Sequence, residues 1–227
     1  MAKTIIVAGF GPGIASAVAE KFGSQGFSVA LVARNAERLA AGVKALEAKG
    51  IQAAAFSAEL GSPEAIKALV PQIRQKLGPI AVLHWNAYST AAGDALAADA
   101  AALRSVFDVP ILGLTTTVQE SLADLKAAKG AILVTNGGLL FDEPGINAAG
   151  GTRNLMGLSM GNAAKHKLVM MLAAKLKADD VYVGEVIVTG TVKGSSFDRG
   201  NGNLDGAVVA QKFWDLYTAR TETVAKA

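Results

Sequence analysis

The sequence predicts an open, doubly wound α/β sheet, and three observations predict it. Short β-branched and apolar runs alternate along the chain with longer segments of helical periodicity. The runs are continuously apolar, as strands covered on both faces must be. The composition agrees: 51% of residues are apolar and 18% charged, against roughly 25% charged in average soluble domains. A length of 227 residues with no dividing linker fits one domain spanning 1–227.

The first strand is Thr4 to Ala8, followed by a helix with Ile14, Val18 and Phe22 on one face. The cycle repeats with strand Ser28 to Ala33, helix Leu39/Val43/Leu46, strand Ile51 to Phe56, and helix Ile66/Val70/Ile73/Leu77. Ala81 to Trp85, Ala131 to Thr135 and Val181 to Val188 supply the fourth to sixth strands, with helical stretches between them. Val209/Phe213/Leu216 marks the last helix, and Thr221 to Ala225 a short edge strand. Two Gly-rich stretches, Asn136 to Gly151 and Gly190 to Gly206, read as loops on the side where such sheets bind ligands.

Composition limits the chemistry. The chain has no Cys, two His and three Tyr, which excludes disulfides, thiolate nucleophiles and Cys-ligated metal, and no metal-ligand cluster appears. A net charge of +3 with scattered Lys and Arg gives no nucleic-acid stripe. Gly, Pro or charge interrupts every apolar run before membrane-spanning length. Lys3, Ile5 to Phe10 and Ala15-Ser16-Ala17 imitate a secretory signal, but Gly9, Gly11, Pro12 and Gly13 break its apolar region. The expectation is a soluble cytoplasmic protein.

Between the first strand and helix lies Gly9-Phe10-Gly11-Pro12-Gly13-Ile14-Ala15. Such a turn lets backbone N–H groups and a helix N-terminus approach a phosphate. The second strand ends Val32-Ala33-Arg34-Asn35, where dinucleotide folds read the adenosine ribose. An acid there favours NAD; Arg34 instead suits a 2′-phosphate, so the cofactor predicted is NADP(H).

These motifs, in this order, resemble the short-chain dehydrogenase/reductase superfamily from Lys3 to about Leu216, which implies a Rossmann-type fold. Gly9 and Gly13 match the first two glycines of the T-G-x-x-x-G-x-G loop, with Ala8 and Ala15 replacing its Thr and last Gly. Glu59-Leu60 stands at the adenine-contacting Asp-Leu pair, and Trp85-Asn86-Ala87-Tyr88 at Asn-Asn-Ala-Gly. Thr189-Gly190-Thr191-Val192 resembles the Pro-Gly-x-Val turn beside the nicotinamide. The resemblance thus implies that Gly9, Gly11, Gly13 and Ile14 hold the pyrophosphate, Arg34 the 2′-phosphate, Glu59 and Leu60 the adenine and Asn86 the ribose region. It assigns Thr189, Gly190 and Val192 to the nicotinamide end.

The family performs hydride transfer with an Asn, a Ser, a Tyr and a Lys, the Tyr exchanging the substrate proton. Lys165 matches the Lys of Tyr-x-x-x-Lys, whose role toward the nicotinamide ribose it inherits by resemblance. Four residues earlier stands Gly161. The Ser position falls at Gly137 or Asn136 and the Asn position at Pro110, which favours a helix break. Tyr88 offers a phenol, although packing is its ordinary role. Ser159 is an N-terminal helix residue six positions before Lys165. His166 points about 100° away from Lys165. His84 reads as a core histidine, and Asp142 and Glu143 as solvated loop charges.

Two functions follow. One is an NADP(H)-dependent oxidoreductase acting on a small carbonyl or alcohol under the 190–206 loop, its proton coming from a non-standard donor. The other is a catalytically silent NADP(H)-binding sensor or partner subunit. The resemblance also implies a homodimer or homotetramer, through Leu112, Val118 and Leu122 or through Leu168 and Met171.

Overall fold

The computed structural model describes residues 3–227. Seven parallel strands form one sheet in the order β3-β2-β1-β4-β5-β6-β7. They are β1 (Lys3–Ala8), β2 (Phe27–Ala33), β3 (Ala53–Ser57), β4 (Ile80–Trp85), β5 (Ala131–Gly137), β6 (Tyr182–Val188) and β7 (Val224–Lys226). The helices are α1 (Ile14–Ser24), α2 (Ala36–Glu47), α3 (Pro63–Leu77), α4 (Ala100–Phe107), α5 (Leu114–Ala127), α6 (Pro144–Thr152), α7 (Met156–Leu176) and α8 (Gly206–Ala219). This is the doubly wound, single-domain architecture expected, and the chain reverses its direction of growth across the sheet between β1 and β4.

Two apolar cores flank the sheet. Ile66, Ile73, Leu114, Leu125 and Val169 from α3, α5 and α7 fill one side. Val18, Phe22, Leu39, Val209 and Phe213 from α1, α2 and α8 fill the other. Helix starts follow the local sequence: Asn35 Oδ1 accepts from Arg38 N at 2.7 Å, and Ser62 Oγ from Ala65 N at 3.2 Å with Pro63 in the first turn. The continuous helical stretch Ala100–Ala127 is long and apolar enough to cross a membrane. Its Leu114, Val118 and Leu125 are packed in the core.

Three expectations need correction. The third strand starts at Ala53, two residues later than the β-branched Ile51 suggests. Ile51 instead closes α2: its N–H bonds Leu46 O at 3.0 Å and Gly50 N–H bonds Glu47 O at 2.9 Å, with Gly50 at φ +73°. The Gly-rich segment from Asn136 is not a plain loop. Asn136 and Gly137 extend β5, a 3₁₀ turn covers Gly138–Leu140, and Pro144 opens α6. Finally, Pro110 does not break its helix. Asp108–Gly113 forms a π-helical turn between α4 and α5, a widening that accommodates a residue without an N–H.

Candidate functional site

The carboxyl ends of β1 and β4 are joined by Asn86 N–H donating to Ala8 O at 2.8 Å. Gly9 follows β1 at φ +83°, and a Cβ there would lie 2.6 Å from Ala87 N, so only glycine fits. Asn86 Nδ2 donates to Gly9 O at 3.2 Å, which makes Asn86 an anchor of the glycine loop. Phe10 packs where Gly42 of α2 leaves room for its ring. No side chain caps α1 at Gly13, so first-turn N–H groups beside Ile14 remain available to an anion. Gly9, Gly11, Gly13 and Ile14 therefore form a cradle suited to a pyrophosphate.

At the end of β2, Arg34 is largely exposed and its Nη1 lies 3.5 Å from Glu59 Oε2. Sequence reasoning missed Arg38, whose Nη1 stands 3.9 Å from the Cβ position of Gly11. Its signal was available: Arg38 lies in the first turn of the helix that follows Arg34, three residues after the capping Asn35. Leu60 is buried beside Glu59. Glu59 tempers the charge of Arg34.

Across β4, the end of β5, the middle of α7 and β6 hold a buried polar group. Lys165 is 2% exposed, and no hydrogen bond or ion pair to another described residue engages its Nζ. Burial pushes its pKa down to about 8, with the Glu185 carboxylate pulling the other way. Glu185, fully buried on β6, accepts from Asn136 Nδ2 at 2.7 Å and from the His166 ring N–H at Nδ1 at 2.5 Å. His166 thus faces a carboxylate. A lone acid in the apolar run Val183 to Val188 was the sign of Glu185.

Gly161 faces the π turn, where a Cβ would meet Val106 O at 3.3 Å and Pro110 Cγ at 3.4 Å. A Cβ on Gly137 would lie 3.1 Å from Asn162 Nδ2. Ser159 bonds back to Leu155 O at 3.0 Å. His84 is the core histidine expected, its Nε2 at 3.1 Å from Thr135 Oγ1 and its ring edge-on to Phe213, and burial lowers its pKa to about 3. Asp142 accepts from Asn147 Nδ2 at 2.8 Å on the exterior.

The segment after β6 lies over the glycine loop. Val192 is buried, with Cγ1 3.2 Å from a Cβ built on Gly13, and Gly190 packs against Asn203. Thr189 turns its hydroxyl to Ala227 O at 2.9 Å, away from the cradle. Asp198 organises the loop by accepting from Gly194, Gly200 and Gly202 N–H at 2.8, 2.9 and 2.8 Å, bonds that hold its carboxyl below the usual range. Tyr88 reaches this loop: its hydroxyl is 2.6 Å from Ser196 Oγ and its ring 5.4 Å from that of Phe197.

A family model described as short chain dehydrogenase matches residues 3–198. The chain belongs to the short-chain dehydrogenase family. A short chain dehydrogenase of Pseudocercospora fijiensis is 38% identical over 81 residues, a stretch covering 36% of this chain and 26% of that relative. Among solved structures, a metagenomic short-chain oxidoreductase in complex with NADP superposes with a TM-score of 0.81 at 22% identity, covering 99% of this chain and 95% of that one. An NADPH-bound short chain oxidoreductase from Pseudomonas aeruginosa PAO1 with an atypical catalytic center gives 0.84 at 20% identity, covering 99% and 95%. These likenesses establish the dehydrogenase fold over the whole sheet.

Proposed function

We propose that this member of the family is an NADP(H)-dependent oxidoreductase that interconverts a small carbonyl and its alcohol with a degenerate catalytic tetrad. The observation that carries the reading is Lys165, buried and without a protein partner on α7. An ammonium is kept in such a place at a cost that binding a ligand offsets. Gly9, Gly11, Gly13 and Ile14 hold the pyrophosphate, Arg34 and Arg38 the 2′-phosphate, and Glu59 and Leu60 border the adenine. Asn86 fixes the loop, while Gly190 and Val192 close over it. The NADP and NADPH complexes of the neighbouring structures support this cofactor.

Bound NADPH supplies the hydride. Lys165 donates to ribose hydroxyls, and its ammonium, poised near pH 8, is the proton source for the substrate oxygen. Gly161, Gly137 and Pro110 stand where the family carries Tyr, Ser and Asn, so this chemistry proceeds without a phenol. Residues 190–206 cover the substrate. The packing of Gly161 against Val106 and Pro110 favours a second reading, a silent NADP(H) sensor or partner subunit. Exposed Leu112 and Met171 suit a homodimer or homotetramer.

Fluorescence titration with NADPH and NADH, followed by a panel of small carbonyls, tests the proposal. Tighter NADPH binding, lost in Lys165→Ala, with turnover on at least one carbonyl is the result expected. Binding without turnover establishes the sensor reading; no nucleotide binding overturns both.

A further inference from the structure

We infer that Asn162 is a catalytic residue whose side-chain amide donates a hydrogen bond to the substrate carbonyl oxygen, from the space left open by Gly137. The inference rests on the oxidoreductase reading above.

Four observations carry it. Asn162 is 5% exposed, yet no described residue hydrogen-bonds its side-chain amide. That is an expensive state for a buried polar group unless something else meets it. The amide is not sealed in: among the described residues, the buried side-chain atoms that lack both a partner and solvent contact are His84 Nδ1, Trp85 Nε1 and Ser121 Oγ. The Asn162 amide and Lys165 Nζ therefore open onto accessible space. Its direction is set by Gly137, whose Cβ position lies 3.1 Å from Asn162 Nδ2, so the amide occupies the neighbourhood that a side chain at 137 would enter. Lastly, Asn162 precedes Lys165 by three residues on α7, which puts both on one helical face. The backbone is held as well, since Asn136 Nδ2 donates to Asn162 O at 3.0 Å.

The chemistry balances without asking the amide for a proton. In carbonyl reduction a hydride reaches the carbonyl carbon, the C=O π pair moves onto oxygen, and that oxygen takes a proton from the Lys165 ammonium. Asn162 keeps both its hydrogens and stabilises the growing negative charge, as a preorganised donor does in an oxyanion hole. Lys165 then regains a proton from solvent.

The test uses butane-2,3-dione as substrate and dimethyl sulfoxide as a mimic whose oxygen accepts hydrogen bonds but takes no hydride. In Asn162→Ala, kcat for the dione is expected to fall about a hundredfold, with NADPH affinity unchanged and sulfoxide binding to the NADPH complex weakened. Adding Gly137→Ser to that variant places a hydroxyl in the vacated space and is expected to restore turnover. Gly137→Ala in the wild-type background leaves α7 intact, presses a methyl against the amide, and is expected to lower kcat even if Asn162→Ala does not fold. Wild-type kcat in both Asn162→Ala and Gly137→Ala overturns the inference while leaving the oxidoreductase intact. Loss of NADPH affinity in Asn162→Ala also overturns it, by assigning the amide to the nucleotide. A wild-type protein that binds NADPH but reduces no carbonyl overturns it in favour of the sensor. One that binds no NADPH overturns the oxidoreductase reading and this inference together.

Discussion

The His166 ring and the Glu185 carboxylate meet at 2.5 Å, joining α7 to a strand whose other inward residues are apolar. Asn136 Nδ2 bonds the other carboxylate oxygen at 2.7 Å. Glu185→Leu would leave the His166 N–H without an acceptor and leave Asn136 Nδ2 only its bond to Asn162 O at 3.0 Å, and removing one partner from such a buried group costs about 3 kcal/mol or more. Glu185→Gln keeps an acceptor and is expected to cost less. Urea unfolding of the two variants checks the order, and equal losses would contradict it.

Lys165 makes stability depend on alkaline pH. Its pKa is lowered from 10.5 to about 8 by burial, so between those values the unfolded chain holds a proton that the folded chain has released. Stability therefore rises with pH across that window, while below pH 8 the cost of the buried charge is present in full. At 1.36 kcal/mol per pKa unit, Lys165→Met is expected to be about 3 kcal/mol more stable than wild type at pH 7. The gap should close by pH 10.5, and NADPH affinity should be lost throughout. Denaturant melts at pH 7 and pH 10 with parallel NADPH titrations provide the measurement.

His84 acts at the acid end. Burial lowers its pKa from 6.5 to about 3, so as the pH falls below 6.5 the unfolded chain binds a proton that the fold refuses. The resulting loss approaches roughly 4–5 kcal/mol at pH 3. His84→Leu forfeits the Thr135 hydrogen bond but should flatten the decline of melting temperature between pH 6.5 and 4. A decline as steep as that of wild type would show that other groups govern acid unfolding.

Placing a tyrosine at position 161 should not create a family-like site. A Cβ there already meets Val106 O at 3.3 Å and Pro110 Cγ at 3.4 Å, and a backbone carbonyl cannot swing aside as a flexible side chain would. Gly161→Tyr is expected to lower the melting temperature by several degrees, an overpacking loss of about 1–3 kcal/mol, without raising carbonyl turnover. A stable variant with increased turnover would refute this account of the packing.

Much of the architecture was legible because buried parallel strands announce themselves as unbroken apolar runs. Ile51 misled because the same β-branched side chain that favours a strand also serves the apolar contact after a helix C-terminus. The glycine-rich turn was legible through spacing, since it depends on residues close in the chain, and Lys165 through its resemblance to the lysine of Tyr-x-x-x-Lys. The juxtaposition of Asn162 with Gly137 was not, because it joins a helix to a strand 25 positions away and an asparagine inside a helix carries no special mark. Glu185 was visible as a charge in an apolar strand, but its partners exist only in three dimensions.

The π turn at Asp108–Gly113 also affects how this chain is lined up against its relatives. Widening a single turn advances the phase of everything downstream, so the inward stripe passes from Val106 to Leu114 and Val118 while Leu112 is turned outward at 45% exposure. A column-by-column correspondence carried from α4 into α5 can slip by one position at Pro110. Shifting it either way brings Val109 or Ile111 into that column, and neither has a side-chain amide. The absence of an asparagine side chain from this bend is therefore insensitive to the choice of alignment.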